Sequence, residues 1–365
     1  MERMSTTALV GTYRERQHLG ERAVAGVSAE VRHHIGLQSQ APLPPYTALW
    51  TRMASFDPQA VSAHVRSGEL VRVVCMRSTI HLVDAADAWV LRTLTAPVLL
   101  REYTTAIARR LPGVDVAAVV DRAAGLLDDR ALPSRELGLS LAGAFDGFAP
   151  ADLVNLVRCH LPLVQRPPRG EWGRTGAVVY ARLDQSVPVR EADPAAELRE
   201  LALRYLRAYG PATPADFGQW SGLRGAREIF ASLGTSAVPV EVDGRTLVDA
   251  AEAVRGGDSR PPTARLLAEF DAALLSHQNR SRILPDSAAA AIASPNGLIP
   301  STFLVDGMVA GRWTMTVEAG SAHATIRPIG RLTQRVQSAI RRELRGLARD
   351  LHDARLSDVT LAPPA

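Results

Sequence analysis

Residues 195–249, AAELRELALRYLRAYGPATPADFGQWSGLRGAREIFASLGTSAVPVEVDGRTLVD, carry the pattern that decides the fold. Ala195 to Tyr209 repeats apolar side chains at helical spacing, Leu198, Leu201, Leu206 and Tyr209 among them, and Gly210-Pro211 ends the run. Thr213 before Pro214 suits an N-cap followed by proline in the first helical turn, so a short helix is expected to Trp220. Ser221-Gly222 turns the chain, and a second helix is expected over Leu223–Leu233. Two strand-like runs then flank Asp243-Gly244, a strong hairpin signal. Helix, helix–turn–helix and hairpin in this order describe a winged helix-turn-helix module.

The same order recurs twice upstream. Helices are expected over Val27–His34 and Tyr46–Phe56, and a third from the Asp57-Pro58 cap to Ser67, stopped by Gly68; Leu70–Val83 then reads as two strands. In the middle, Asp115–Asp129, Ser134–Phe145 and Ala149–Leu161 read as helices and Trp172–Leu183 as a hairpin. The last hundred residues differ. Phe303–Thr316 is a hairpin around Asp306-Gly307, His323–Pro328 a further strand, Leu332–Leu351 an arginine-rich amphipathic helix with a solvated basic face, and Leu361–Ala365 a loose tail. The expected fold is α+β: three tandem winged-helix modules over residues 1–90, 91–190 and 191–260, then a β-rich region with a terminal helix over 261–365.

The composition narrows function. The 365 residues are 46% hydrophobic and 22% charged, an ordinary core-forming balance, and the net charge of +4 is compatible with a polyanionic partner. All basic residues other than histidine are arginine. Without lysine there is no lysine Schiff base, phosphate-loop lysine or lysine general base. Two cysteines, Cys75 and Cys159, make neither a disulfide framework nor a zinc site alone, so a reducing, cytoplasmic location is expected. The N-terminus leads into no long apolar run, and the longest uncharged stretch, between Asp286 and Asp306, is broken by Pro295, Gly297 and Pro300; neither a signal peptide nor a membrane span is expected.

Most catalytic motifs fail. Zinc-protease, paired-cysteine and dinucleotide patterns are missing, and Gly138-Leu-Ser140-Leu-Ala142 lacks the second glycine of a nucleophile elbow. The adjacent His33-His34 would diverge by roughly 100° on a helix, so no metal site and no cofactor are expected. The unusual segment is LQSQAPLPP at 37–45, whose prolines favour extended backbone. There Gln38 and Gln40 share a face and present two neutral amides to one spot. On the pattern alone, two surface or capping amides are the plainer reading.

The chain resembles the AlkZ/YcaQ family of bacterial winged-helix DNA glycosylases. The matching pieces are GLQSQAP and YTALWTRM within 36–53, MRSTIHLV at 76–83, YGPATPADFGQWSGL at 209–223, RLLAEFDAALLSHQNRSRIL at 265–284 and LVDGMVAGRW at 304–313. They run through the chain in order. The resemblance implies tandem winged helices forming a C-shaped basic channel, and removal of N7-alkylated purines, crosslinked ones included. It implies catalysis by a Gln-x-Gln motif, which Gln38-Ser39-Gln40 matches, with serine where the family commonly has a hydrophobic residue. The expected partner is double-stranded DNA with alkylated purines, bound by a monomer. In the first wing, Arg77 is expected to bind phosphate, beside Ser78, with Thr79 and His81 on one strand face; a wing that only packs fits equally. Arg280, Arg282, Arg312 and Trp313 are further expected backbone contacts. The competing readings are a non-enzymatic winged-helix regulator and a protein-interaction scaffold, neither of which requires the glutamine pair.

Two amides suffice only for an activated substrate. Most glycosidic hydrolyses need a carboxylic acid to protonate the leaving group. An N7-alkylated purine is already cationic, so what is left is to position water and favour a cation-like sugar. A monofunctional reaction without strand cleavage is also expected, because with no lysine only the N-terminal amine could form a Schiff base, and its segment has no expected tie to the glutamine motif.

Overall fold

The computed structural model describes residues 2–191, 193–256, 261–293 and 298–363. Helices and sheets mix throughout, an α+β fold. No described helix is long and apolar enough to cross a membrane.

The expected helices form where their caps stand. Asp57 accepts a hydrogen bond from the Gln59 amide, Pro58 opens the helix Pro58–Ser67, and Gly68 stops it in left-handed backbone (φ 83°). Thr213 and Asp216 cap each other reciprocally at the start of Pro214–Ser221. Asp243-Gly244 and Asp306-Gly307 all have positive φ, as two-residue hairpin turns require.

The glutamine segment lies at the edge of a six-stranded antiparallel sheet. Its order is Leu37–Gln38, Ile80–Asp84, Leu70–Val74, Leu163–Gln165, Val179–Arg182, Leu132–Pro133. Strands from the first and second expected modules therefore share one sheet. A second sheet pairs Glu2–Met4 in parallel with Ala237–Val242, which pairs with Arg245–Ala250. The third runs Ala264–Leu267, Thr302–Val305, Met308–Glu318, Ser321–Pro328, Arg355–Leu361.

Three expectations are corrected, and one further strand was not expected. The helix expected from Leu223 begins only at Ala226, because Gly222 and Gly225 both take left-handed backbone. Within Trp172–Leu183 only Val179–Arg182 is a strand, and its partners are Leu163–Gln165 and Leu132–Pro133; Trp172 instead packs on Tyr46 and His352, both 5.1 Å away between ring centres. The tail's Leu361 closes the strand Arg355–Leu361, which adds in parallel to Ser321–Pro328; residues 364 and 365 lie outside the described ones, as do Pro295–Gly297 of the uncharged stretch. Glu2–Met4 forms a strand that no periodicity announced.

The helix that follows the glutamines, Pro44–Arg52, is fixed at its far end to the C-terminal region. Trp50 Nε1 donates to Asp350, Thr51 Oγ1 to the Leu266 carbonyl, and Arg52 makes a bidentate pair with Asp271 at 2.6 and 3.0 Å, both side chains fully buried. Such a pair holds geometry more than it adds net stability. Cys75 and Cys159 are buried and free.

Candidate active site

Leu37 and Gln38 pair with Leu82 and His81 across the sheet edge, and the Ser39 amide continues the ladder to the Ile80 carbonyl at 2.7 Å. Alternation makes Gln38 half-buried, Ser39 buried and Gln40 exposed.

Hydrogen bonds fix both amides. Arg77 Nη2 donates to Gln38 Oε1 at 2.7 Å, and the Ile80 N–H donates to Gln40 Oε1 at 3.2 Å. Both partners are donors only, so each carbonyl must face the hairpin and each NH2 must face away. Each carbonyl keeps a second lone pair.

Arg77 is itself tightly held. Its Nη1 donates to the Trp220 carbonyl and its Nη2 lies 3.4 Å from His81 Nε2. His81 Nδ1 lies 3.1 Å from the Thr79 carbonyl, which only accepts, so Nδ1 carries the proton and Nε2 receives from Arg77. Burial, then the Arg77 charge, pushes His81 down to about 3, so the ring is neutral. Burial lowers Arg77 itself to about 10. Arg77 and Ser78 both take left-handed backbone (φ 53° and 59°), uncommon for residues with side chains. The helix end at Trp220-Ser221-Gly222 docks against this turn. A Cβ on Gly222 would sit 3.2 Å from Arg77 Cα and 3.0 Å from Val98 Cγ1, so only glycine permits the approach.

Ser39, the departure from the family pattern, has a specific partner. Arg72 Nε donates to Ser39 Oγ at 3.0 Å and Nη2 to the Ser39 carbonyl at 2.8 Å. Arg72 is buried, and burial followed by the Arg169 charge lowers it to about 10. Among the described residues, no carboxylate acts on Arg72 or Arg77.

Gln40, Arg77, Ser78 and Thr79 line a cleft of about 1040 Å³, walled also by Arg72, Arg101, Arg158, Arg169 and Gln165. Its five arginines face one carboxylate, Glu102, which accepts from Ser78 Oγ and from Arg158 at 2.8 Å. The structure thus brings Gln38, Gln40, Arg77, Ser78, Thr79 and His81 together. Arg77, expected on phosphate, spends its donors inside the protein. Thr79 Oγ1 donates to the Met76 carbonyl, so Thr79 and His81 do not present one open face.

The remaining expected contacts stand apart from this cleft. Arg282 is 7% exposed, donates to the Pro211 carbonyl at 3.0 Å and lies over the Tyr13 ring; Trp313 is 7% exposed and donates to the Leu267 carbonyl at 3.0 Å. Both are largely buried, and each borders a hollow away from the cleft. Arg280 lines a further hollow, and Arg312 shares that of Trp313. Sequence reasoning missed Arg72, although an arginine inside the apolar run LVRVV was its signal, and it missed Arg101, Glu102, Arg158 and Arg169 altogether.

Known proteins share the sequence pattern and the fold. The interstrand DNA cross-link repair glycosylase of Streptomyces sahachiroi is 25% identical over 335 residues, covering 82% of this chain and 85% of that protein. The solved structure of the S. sahachiroi DNA glycosylase AlkZ superposes with a TM-score of 0.79 at 21% identity, over 100% of both chains. The family model described as DNA glycosylase AlkZ-like matches residues 31–349, a span that holds the glutamine strand, its hairpin and every arginine of the cleft, and the chain belongs to that family.

Proposed function

We propose that this chain is a monofunctional DNA glycosylase that hydrolyses the N-glycosidic bond of bulky N7-alkylated purines in double-stranded DNA, including purines held in an interstrand crosslink. The observation that carries the proposal is the pair of oriented amides, Gln38 and Gln40, beside an arginine-lined cleft. Five arginines against one carboxylate leave the cleft positive, and DNA phosphates would offset that charge. In this reading three winged-helix modules and the β-rich C-terminal region, bounded near residues 90, 190 and 260, wrap duplex DNA in a C-shaped channel. The protein acts as a cytoplasmic monomer without a cofactor.

The chemistry follows from the substrate. As the N9–C1′ bond breaks, its electron pair passes to the cationic purine, which leaves neutral. Positive charge develops on the sugar, and water attacks C1′. The amide NH2 groups and the free carbonyl lone pairs hold that water by one donated and one accepted hydrogen bond, and its proton passes to solvent after attack. Serving already activated bases, the site needs no general acid and no deep pocket for a flipped base, which a crosslink would oppose.

The test is incubation with duplex DNA carrying one defined N7-alkylguanine. The expected product is an abasic strand that stays intact until alkali cleaves it, with no adduct trapped by borohydride, since the chain has no lysine. Binding without base release would favour the regulator reading.

A further inference from the structure

Away from the cleft, three imidazoles meet. His18, in left-handed backbone (φ 50°), follows the helix Thr6–Arg16; His33 ends the helix Val27–His33, and His34 caps it. One ring nitrogen of each lies within 4.8 Å of the others. His34 has stepped off the helix and His18 arrives from another element, so the divergence of two adjacent helical positions no longer decides the geometry.

Hydrogen bonds settle which nitrogens carry protons. The Glu30 carboxylate accepts from His18 Nδ1 at 2.9 Å and from His34 Nε2 at 3.0 Å. The Arg16 carbonyl accepts from His33 Nε2 at 2.6 Å. In the neutral rings this leaves lone pairs on His18 Nε2, His33 Nδ1 and His34 Nδ1. The last is buried with no protein partner. An imidazole whose far N–H is held by a carboxylate or a main-chain carbonyl is the outer arrangement that orients metal-binding histidines.

We propose that His18, His33 and His34 bind one divalent d-block cation, with Glu30 as the carboxylate behind two of the rings. Three imidazoles suit zinc(II). Metal–nitrogen bonds of about 2.0–2.1 Å place tetrahedral ligands roughly 3.3 Å apart, so the rings must close inward by about an ångström. His18 and His33 are half-buried and their rings stack at 4.6 Å between centres, so both must turn out of that stack to aim at one cation. His33 also lines a hollow of about 420 Å³ together with Asp87, Glu197 and Glu200. The nearby Arg52 is neutralised by Asp271, while Glu30 supplies negative charge. The consequence reaches the cleft, because Ile35 and Gly36, both with positive φ, join His34 directly to the Leu37–Gln38 strand. A bound cation would tie the turn after the first helix to the start of that strand.

The full chain, stripped with a chelator, is titrated with zinc(II) against a chromophoric competitor and with cobalt(II) followed by visible absorption. One zinc per chain at micromolar affinity or tighter, cobalt bands of nitrogen coordination and a rise in Tm are expected. His18→Ala and His33→Ala should each weaken binding by about tenfold or more. His64→Ala, in a separate exposed pair with Glu69, should not change it. The absence of stoichiometric binding, or unchanged affinity in both triad variants, overturns the proposal. Should a variant fail to fold, carbethoxylation of the wild-type histidines decides. Zinc protection of His18 and His33 supports the site, and equal modification with and without zinc overturns it.

Discussion

Arg77 Nη2 stands 2.7 Å from Gln38 Oε1, and this one hydrogen bond determines which end of the Gln38 amide is available to a substrate. Arg77→Met should release the amide and lower the single-turnover excision rate by about tenfold or more, with Gln38→Ala and Gln40→Ala each costing about 2–4 kcal/mol in rate. DNA affinity should stay nearly unchanged in the two glutamine variants. Because Arg77 acts through Gln38, the double variant Arg77→Met, Gln38→Ala should be no slower than Gln38→Ala alone. Additive losses would mean that Arg77 contacts DNA independently.

Among the described residues Glu102 is the one carboxylate lining the cleft, so it is the obvious rival to the amides. Its oxygens are committed to Ser78 and Arg158. Glu102→Gln should therefore leave excision within about threefold of wild type, whereas a general acid or base would lose about 10²–10⁴-fold. Single-turnover rates on an N7-alkylguanine duplex separate the two.

Ser39→Ala should destabilise the fold. The buried Arg72 would keep the Ser39 carbonyl but lose the acceptor for its Nε, a charged hydrogen bond worth about 1.5–3 kcal/mol. Urea denaturation measures the loss, and a fall below about 0.5 kcal/mol would show that Arg72 finds another partner.

The pH dependence divides between rate and stability. His81 titrates near 6.5 when unfolded and at about 3 in the fold, pushed down by burial and Arg77. Between those values the unfolded chain binds the proton and the folded chain does not, so stability falls as pH drops from about 6.5 toward 3 and is constant above. His277, also lowered by burial, adds in the same direction. Tm should decline on acidification below about pH 6.5, while excision, which uses amides, should vary little between about pH 6.5 and 9. A histidine-like inflection in the rate would implicate a titrating catalyst.

Affinity for duplex DNA should fall linearly with salt on logarithmic axes, by about 0.9 per neutralised phosphate. Arg169→Ala should reduce that slope by about one and weaken all sequences alike. A salt-independent complex, or loss confined to one sequence, would refute a phosphate role for Arg169.

What was legible in the sequence follows from how local its causes are. Caps, glycine stops and the two Asp-Gly turns act within a few residues, so Pro58–Ser67 and both Asp-Gly hairpins were readable. The glutamine strand was legible only in part: the extension expected from the prolines stops short of them, since Leu43 is already helical and Pro44 opens the helix Pro44–Arg52. The strand Arg355–Leu361 was not, since its edge position leaves most side chains in solvent and erases alternation. Arg77's role was hidden for another reason. It depends on Trp220 and Gly222, remote in sequence, closing over the turn, a contact no local pattern encodes. The meeting of His18 with His33-His34 was hidden in the same way.

Under the proposed function, the two buried thiols acquire a further meaning, because the substrate is then one made by electrophiles. Burial pushes Cys75 up to about 12 and Cys159 up to about 11, so neither presents a thiolate at neutral pH. The chain also has no lysine amine. A protein with this inventory offers few soft nucleophiles to the reagents that modify purines. On that function, fewer of its own side chains compete with DNA for the chemistry that creates its substrate.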